Sequence, residues 1–285
     1  MANVNQMTIT DFVKSSFAER KNERHALLLD KFLEHLHDFT REVNLTQDEW
    51  MGVLNFLYDC GQISNPKRHE FILLSDVIGL SALVDMINTK GGGTEMSNLG
   101  PFYLNDAVAK PLGADLAKDR EGTIVLVSGV VRDTLGNAIP GAELDTWQAD
   151  GTGNYPIQDP KQDAYDLRGK FRTDDKGRYY YTTVLPKPYT VPYDGPVGKL
   201  LRAFGRHAWR AKHLHYILRA KGMRTITTEM FFEGDEYVDS DAVFGVRRSL
   251  IAKIQRVPKE AKLEYTLERR PDARVSFDFA LAPGQ

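Results

Sequence analysis

The chain has 285 residues, of which 42% are hydrophobic and 27% are charged, and its formal net charge is −2. This composition is typical of a globular protein, and the nearly balanced charge disfavours nucleic acid as a partner, because nucleic-acid-binding domains usually carry a basic excess. No apolar run reaches the ~20 residues needed to span a bilayer, so we expect no membrane insertion. The single cysteine, Cys60, excludes an internal disulfide. Together with an N-terminus that lacks the pattern of a secretory signal, the single cysteine predicts a cytoplasmic protein.

The first third of the chain has the hydrophobic periodicity of helices. In residues 22–43, apolar side chains recur at steps of three and four positions, which predicts an amphipathic helix. Thr46 and Glu49 then have the spacing of a capping box, so we expect a second helix to begin there and to include residues 50–58. A third periodic segment, residues 69–87, predicts one more helix.

The pattern changes from helix to strand after the glycines at residues 91–93, which are the best candidate for a domain boundary. We expect a helical region at residues 1–95 and a β domain at residues 96–285. Strands are predicted at residues 123–131, 142–149, 179–181, 213–218, 225–232, 263–267 and 275–279, and around Phe171. One late helix is predicted at residues 242–257. The predicted fold class is α+β, mainly β, with a C-terminal antiparallel β-sandwich.

Two His-x-His pairs differ in whether their predicted secondary structure lets both imidazoles bind one metal ion. His35 and His37 fall in the first helix, where residues two apart point about 200° apart, so they cannot share a metal ion. His213 and His215 fall in a predicted strand, where residues two apart point to the same face. The second pair is therefore a candidate for two ligands of one metal, while a pair of half-exposed strand histidines would give the same pattern.

Several kinds of side chain could complete such a site. Carboxylates are plentiful, so a 2-His-1-carboxylate ferrous site is one candidate. Tyr155 and Tyr189 stand in turn-like contexts, where a side chain can project into a cleft. By themselves, these contexts are more typical of loop tyrosines that pack their rings and solvate their hydroxyls.

An ordered series of short motifs runs through the predicted β domain. It comprises GPFY at residues 100–103, PGAELDTWQADGTGNY at 140–155, GRY at 177–179, PKPY at 186–189, GRH at 205–207, RAKHLH at 210–215 and FEGDEY at 232–237. In this order the motifs resemble the intradiol ring-cleavage dioxygenases, which are non-haem ferric enzymes that open catechols between their two hydroxyls. The resemblance extends over nearly the whole chain.

The resemblance implies a catalytic β-sandwich that carries the metal and N-terminal helices that form a homodimer interface. It implies one Fe(III) per chain, with Tyr155, Tyr189, His213 and His215 as ligands. Two phenolates and a hydroxide would offset three positive charges, which avoids burying a net charge. Tyr189 is the tyrosinate expected to leave when a catechol binds, and Arg210 is expected to stabilise negative charge on the ring. Some family members also hold a lipid between the N-terminal helices.

Matching positions imply a set of substrate-binding residues. Besides Arg210 and Glu229, they are Leu73, Asp76, Asn98, Leu99, Gly100, Pro101, Phe102, Val191, Pro192 and Val243. Hydroxyquinol members tend to have aspartate at the place of Asp76, where a carboxylate can accept a hydrogen bond from a third ring hydroxyl. Asn98 and Glu229 depart from that branch, in which an apolar residue and a Gln or His are usual. The expected substrates, besides O2, are hydroxyquinol (benzene-1,2,4-triol), giving maleylacetate, or catechol, giving cis,cis-muconate.

Two other functions are open at this point. An extradiol-type ferrous dioxygenase would use His213, His215 and a carboxylate. It would be nearly colourless, whereas charge transfer between tyrosinate and iron(III) makes a protein burgundy. A non-enzymatic β-sandwich that binds a ligand, such as a transthyretin-like carrier, would hold no stoichiometric iron.

Overall fold

The computed structural model describes residues 4–17, 22–65, 68–89, 91–118, 120–159 and 161–284. The chain divides into two compact units, Met1–Asp59 and Cys60–Gln285. The first unit is helical, and the second contains further helices and all the β-sheets. The boundary expected between residues 95 and 96 stays a prediction. Within the described ranges, no helix is both long enough and apolar enough to cross a membrane.

The described residues form six α-helices, and the first two predicted helices are confirmed. The helices are α1 (Ile9–Ser16), α2 (Glu23–Glu42), α3 (Gln47–Ile63), α4 (Glu70–Val77), α5 (Leu80–Asn88) and α6 (Pro196–Ala203). The Asn22 side chain caps α2 by accepting a hydrogen bond from the His25 amide. At the start of α3, the Thr46 amide donates to the Glu49 carboxylate at 2.9 Å and the Glu49 amide donates to Thr46 Oγ1 at 3.3 Å. This is the predicted capping box.

The third predicted helix, residues 69–87, is two helices instead of one. Gly79 lies between α4 and α5 with a φ of 78°, in the left-handed region that glycine adopts without a steric penalty. The two short helices α1 and α6 were not predicted. The Glu70 carboxylate of α4 accepts a hydrogen bond from the Val197 amide at 3.1 Å, which ties α4 to the first turn of α6.

The strands form two five-stranded sheets and one short pair. They are β1 (Ile124–Asp133), β2 (Glu143–Gln148), β3 (Arg168–Arg172), β4 (Arg178–Val184), β5 (Tyr189–Thr190), β6 (Trp209–Arg210), β7 (His213–Arg219), β8 (Ile226–Phe232), β9 (Ile251–Ala252), β10 (Gln255–Arg256), β11 (Ala273–Ser276) and β12 (Phe279–Leu281). In the first sheet, β10, β11, β1 and β12 follow one another and β4 also pairs with β1. The second sheet has the order β3-β2-β7-β8-β9, and β5 pairs with β6.

The two five-stranded sheets pack face to face over one hydrophobic core. Val127 of β1 and Tyr181 of β4 face Leu144 of β2 and Leu214 of β7, and all four are completely buried. Burying one such side chain contributes about 1.5–3 kcal/mol. The central pairs β1–β4, β2–β7 and β7–β8 are antiparallel, while β11 and β12 pair with β1, and β9 with β8, in parallel. The α+β fold with a C-terminal β-sandwich is confirmed.

Three further local predictions were wrong. Residues 242–257 form turns, a short 3-10 helix (Arg248–Leu250), β9 and β10 instead of one helix, and Phe244 has a φ of 55°, in the left-handed region that interrupts a helix. Residues 263–267 form no strand, and Tyr265 instead stacks on Tyr180 with ring centroids 4.2 Å apart. Residues 275–279 are split between β11 and β12.

Candidate metal centre

Strand β7 brings the two candidate imidazoles to the same point. Leu214, Tyr216 and Leu218 point into the sandwich core, so His213 and His215 project from the opposite face of the sheet. Their Nε2 atoms lie 3.2 Å apart. Two ligand atoms that each lie about 2.1 Å from a metal at right angles are separated by about 3 Å, so this spacing fits a pair of neighbouring ligands.

The environment of His213 leaves its Nε2 unprotonated, and this nitrogen accepts a hydrogen bond from Arg210 Nη1 at 3.2 Å. His213 Nδ1 lies 2.6 Å from the Ala211 carbonyl oxygen, which can only accept, so Nδ1 is the protonated nitrogen. The His215 ring stacks on the Trp147 ring, with centroids 4.8 Å apart and an interplanar angle of 3°. Burial lowers the pKa of His213 well below its usual value and that of His215 to about 4. Both imidazoles are therefore neutral at pH 7.

The two candidate tyrosines reach the same place from different loops. Tyr155 lies between β2 and the short 3-10 helix Pro156–Gln158, and Tyr189 begins β5. The ring centroids of Tyr155 and Tyr189 are 5.4 Å apart, and that of Tyr189 is 5.5 Å from His213. The Tyr155 hydroxyl is buried and has no hydrogen-bond partner. The four side chains that the resemblance implied as ligands therefore lie side by side.

This donor set fits ferric iron. Burial raises the pKa of Tyr155 well above its usual value and also raises that of Tyr189, so both phenols stay protonated without a metal. A bound cation lowers the pKa of its ligands, and two phenolates suit a hard, highly charged ion. An unpaired buried hydroxyl such as that of Tyr155 costs about 1–3 kcal/mol, a penalty that a metal bond would remove.

Glu229 lies next to the imidazoles and forms a salt bridge with Arg210. It stands opposite His215 in the β7–β8 register, and its Oε1 lies 3.4 Å from His215 Nδ1. Arg210 donates to both carboxylate oxygens, at 2.8 and 3.1 Å, and the Ser97 hydroxyl donates to Oε2 at 2.6 Å. Among the described residues, His213, His215 and Glu229 are also the group of three His, Cys, Asp or Glu side chains close enough to hold a metal ion.

Arg210 is buried between two carboxylates at the edge of this cluster. Its Nε lies 3.3 Å from Asp241 Oδ1, and its Nη1 lies 3.2 Å from His213 Nε2. Burial opposes its charge, but Asp241 and Glu229 raise the pKa of Arg210 well above its usual value. The β5–β6 pair also sets Tyr189 directly opposite Arg210. A permanent positive charge therefore lies beside one phenol and one imidazole.

Some of the residues that the resemblance implies for substrate binding lie against the candidate metal ligands. A Cβ on Gly100 would lie 3.0 Å from His215 Cε1, so the backbone passes directly over this ring. The Phe102 ring lies 4.5 Å from that of Tyr155. Asn98 is buried and its Nδ2 has no hydrogen-bond partner.

The other residues of that set are less closely tied to the centre. Leu99 is 44% exposed and Pro101 is exposed. The described contacts assign no ring contact or hydrogen bond to the ligands for Leu73, Val191, Pro192 or Val243, so their role stays a prediction. Asp76 on α4 is half-buried, burial raises the pKa of its carboxyl, and the charge of Arg210 opposes that rise.

The sequence did not identify four residues that shape the centre. Trp147 stacks on His215, Ser97 and Asp241 bind the salt bridge, and Gly245 packs against it. Strand alternation puts Trp147 on the face opposite Leu144, but its contact with His215 depends on which strands are neighbours. No local pattern carries that information.

Comparisons with known proteins identify the family of the chain. A family model described as Dioxygenase matches residues 99–283, and one described as Catechol dioxygenase N terminus matches residues 22–92. The chain is 40% identical to 6-chlorohydroxyquinol 1,2-dioxygenase of Cupriavidus pinatubonensis over 99% of both chains. It is 47% identical to hydroxyquinol 1,2-dioxygenase of a Rhizobium species over 78% of this chain and 76% of that one.

A solved structure extends the likeness to the whole fold. Hydroxyquinol 1,2-dioxygenase from Pseudomonas putida DLL-E4 superposes with a TM-score of 0.92 and 38% identity, over 98% of this chain and 99% of that chain. Two family models and relatives matched over most or all of the chain therefore agree on one family. The chain belongs to the intradiol ring-cleavage dioxygenases.

Proposed function

We propose that Tyr155, Tyr189, His213 and His215 hold one ferric iron, and that this centre cleaves hydroxyquinol, or alternatively catechol, between adjacent hydroxyls with O2. The observation that carries the proposal is the convergence of two neutral imidazoles and two buried phenols on one face of the second sheet. Bound ferric iron would supply a Lewis acid that prepares a chelated catechol for reaction with O2.

The protein side chains hold and move protons in this proposal. The Tyr189 phenolate oxygen accepts a proton from an incoming catechol hydroxyl and withdraws, while Tyr155 stays in place. Arg210, opposite Tyr189 in the β5–β6 pair, keeps its positive charge next to the place where the ring becomes negative. Its two carboxylate partners hold the guanidinium in one position, so it needs no reorganisation during the reaction.

Asp76 supports hydroxyquinol as the preferred substrate. Its carboxylate interacts electrostatically with Arg210 and Glu229 and is half-buried, which is the environment in which a hydrogen-bond acceptor discriminates strongly. The relatives from Cupriavidus and Rhizobium are named for chlorinated and unsubstituted hydroxyquinol. Maleylacetate is then the expected product, and cis,cis-muconate is the product if catechol is preferred.

The contacts of Glu229 argue against an extradiol-type ferrous site. Arg210 donates to both oxygens of this carboxylate and Ser97 donates to Oε2, so its negative charge is compensated without a metal. Its Oε1 lies 3.4 Å from His215 Nδ1, the nitrogen that faces away from a metal bound at Nε2. A non-enzymatic binding module is not consistent with membership of this family.

The test is an assay of the purified protein on hydroxyquinol and catechol, with iron content, visible spectrum and product spectrum recorded together. We expect about one iron per chain, a burgundy colour, and maleylacetate formed faster than muconate. His213→Ala should remove the iron and the colour, while His35→Ala, at an exposed helical histidine, should change neither. A colourless protein, or ring opening outside the two hydroxyls, would contradict the proposal.

The homodimer belongs to the same proposal. On α2, Leu28, Phe32, Leu36 and Phe39 lie at helical spacing and are 37–62% exposed. Exposed apolar surface of this extent is typical of an interface, and a two-fold dimer is the most common way to cover it. A lipid between the helices of two chains would cover the same surface.

The cytoplasmic location stays a prediction from the single cysteine.

A further inference from the structure

Arg206 joins the end of helix α4 to the turn at residues 241–245. Its guanidinium donates to the carbonyl oxygen of Val77, the last residue of α4, and to the Ala242 carbonyl oxygen at 2.9 Å. The same guanidinium lies over the Phe244 ring, 4.7 Å from the ring centroid. One planar group of donors therefore bonds two separate segments of the chain and packs on a ring of one of them.

The turn that Arg206 contacts is strained at Phe244. The Phe244 amide donates to the Asp241 carbonyl oxygen at 3.1 Å, and Phe244 has a φ of 55°. This left-handed conformation is rare for a bulky residue and persists only where surrounding contacts enforce it. The ring fits against Gly79, where a Cβ would lie 3.5 Å from Phe244 Cδ2. The contacts of Arg206 with Ala242 and Phe244 are among those that hold the turn.

The same turn supplies groups that surround Arg210. Asp241 Oδ1 accepts a hydrogen bond from Arg210 Nε at 3.3 Å, and Asp241 Oδ2 accepts one from the Gly245 amide at 2.8 Å. Gly245 lies against the ion pair of Arg210 and Glu229, and a Cβ at this position would lie 2.7 Å from Arg210 Nη2. Because the turn both bonds the guanidinium and packs against it, a displacement of the turn would move the positive charge of Arg210.

We propose that Arg206 is a positioning residue that holds this turn against α4 and thereby fixes the Arg210 guanidinium beside the bound substrate. The proposal rests on the proposed function, in which Arg210 stabilises negative charge on the ring. Such stabilisation depends on donors that are in place before the reaction, and a misplacement of about 1 Å can lower a rate about 100-fold. The described side-chain contacts of Arg206 involve no candidate metal ligand, so iron binding should not depend on it.

The experiment compares Arg206→Met with Arg202→Met as a matched control. Arg202 also donates to a carbonyl oxygen and lies over a ring, but both belong to Tyr193, at 2.6 Å and 4.6 Å. Arg206→Met should lower kcat and kcat/KM by the same factor, roughly 10- to 100-fold, because Arg210 acts on charge that develops during the reaction. Iron content and the visible band should match wild type, and Arg202→Met should keep the wild-type kcat. An unchanged kcat, an equal loss in both variants, or a loss of iron that accounts for the lower kcat would overturn the proposal.

Hydrogen exchange, followed by mass spectrometry of the purified proteins, tests the placement of the turn independently of activity. Amides at residues 241–245 should exchange about tenfold faster in Arg206→Met than in wild type, while those of the buried strand β7 should keep their rate. An unchanged rate in the turn, or an equal acceleration in β7, would overturn the proposal.

Arg206→Lys keeps the test decisive if Arg206→Met does not fold. A single ammonium can bond one carbonyl oxygen but lacks the planar fork that bridges two, so this variant should be intermediate in kcat and in exchange of the turn. Wild-type values of both would overturn the proposal. A wild-type protein without iron or ring-cleavage activity would instead contradict the proposed function, and the exchange rates would still test the role of Arg206 in holding the turn.

Discussion

Glu229 and Arg210 form a buried two-bond salt bridge next to the two imidazoles, with Oε1–Nη1 and Oε2–Nη2 distances of 2.8 and 3.1 Å. Both side chains are at most 3% exposed. Gly245 covers the pair, and a Cβ at that position would lie 2.7 Å from Arg210 Nη2 and 2.8 Å from Glu229 Oε2. Because Asp241 also binds the guanidinium, one positive charge faces two negative ones. Glu229 Oε1, which accepts from Arg210, also lies 3.6 Å from His213 Nε2 and 3.4 Å from His215 Nδ1.

Replacing Glu229 by alanine should destabilise the metal-free protein. Removing one partner of a buried ion pair leaves the other charge uncompensated, which costs about 3–5 kcal/mol, and the remaining contact of Arg210 with Asp241 favours the lower end. Chemical denaturation measures this loss. Asp38→Ala, which breaks the exposed pair with Arg41 on α2, is the control and should have no measurable effect. Equal small losses in both variants would show that the buried pair contributes little.

Replacing either candidate tyrosine ligand by phenylalanine should alter the colour of the iron-loaded protein. Tyr155→Phe and Tyr189→Phe each remove one phenolate donor, so the visible band should bleach or shift and iron should be retained less well. Absorption spectroscopy and iron analysis check this directly. Tyr165→Phe, at a residue that is 40% exposed, should leave the spectrum unchanged. An unaltered band in both ligand variants would refute the assignment.

The histidine pair shows which part of the site the sequence could predict. The period of two in a strand is local, so the spacing of His213 and His215 is enough to assign both side chains to one face. The tyrosines could be added only through the ordered motifs, because their loops converge from separate positions in the chain. The contact of Trp147 with His215 was not predictable, since it depends on the β2–β7 register.

The wrong helix predictions have physical causes that periodicity does not reveal. A glycine inside a periodic segment can continue a helix or end it, and Gly79 ends one because it adopts a left-handed conformation. Residues 242–257 are not one helix, since Phe244 adopts a left-handed conformation and the preceding Asp241 carboxylate binds Arg210 and the Ala211 and Gly245 amides. Those partners are 30 or more residues away or across a turn, so tertiary contacts override the local pattern.

A charge on the exposed face of α2 should dissociate the proposed dimer. Phe32 is 62% exposed, and Phe32→Asp would bury a carboxylate among apolar side chains if two chains pack there. Sedimentation velocity at micromolar concentration should show a dimer for wild type and a monomer for the variant. Leu135→Asp, in a turn of the second unit where the leucine is 86% exposed, is the control and should stay dimeric. A monomeric wild type would contradict the proposal.

The specificity of the enzyme should depend on the Asp76 carboxylate. Burial raises its pKa, Ser81 and Arg210 oppose that rise, and a carboxylate is a hydrogen-bond acceptor. A third ring hydroxyl, present in hydroxyquinol and absent from catechol, is the group that it could bind. A side chain with a purely structural role would affect both substrates alike.

Asp76→Ala should therefore lower kcat/KM for hydroxyquinol far more than for catechol. Losing a hydrogen bond to a charged group costs about 1.5–3 kcal/mol, which lowers kcat/KM roughly ten- to hundredfold. Catechol has no third hydroxyl and therefore has no such hydrogen bond to lose. Asp76→Asn keeps an acceptor oxygen and should lose less. Asp85→Ala, at a second partly buried carboxylate on α5, is the control for charge alone and should change both substrates by the same factor. Equal losses for the two substrates in Asp76→Ala, together with a lower melting temperature, would make Asp76 part of the scaffold and leave the choice of substrate to other side chains such as Asn98.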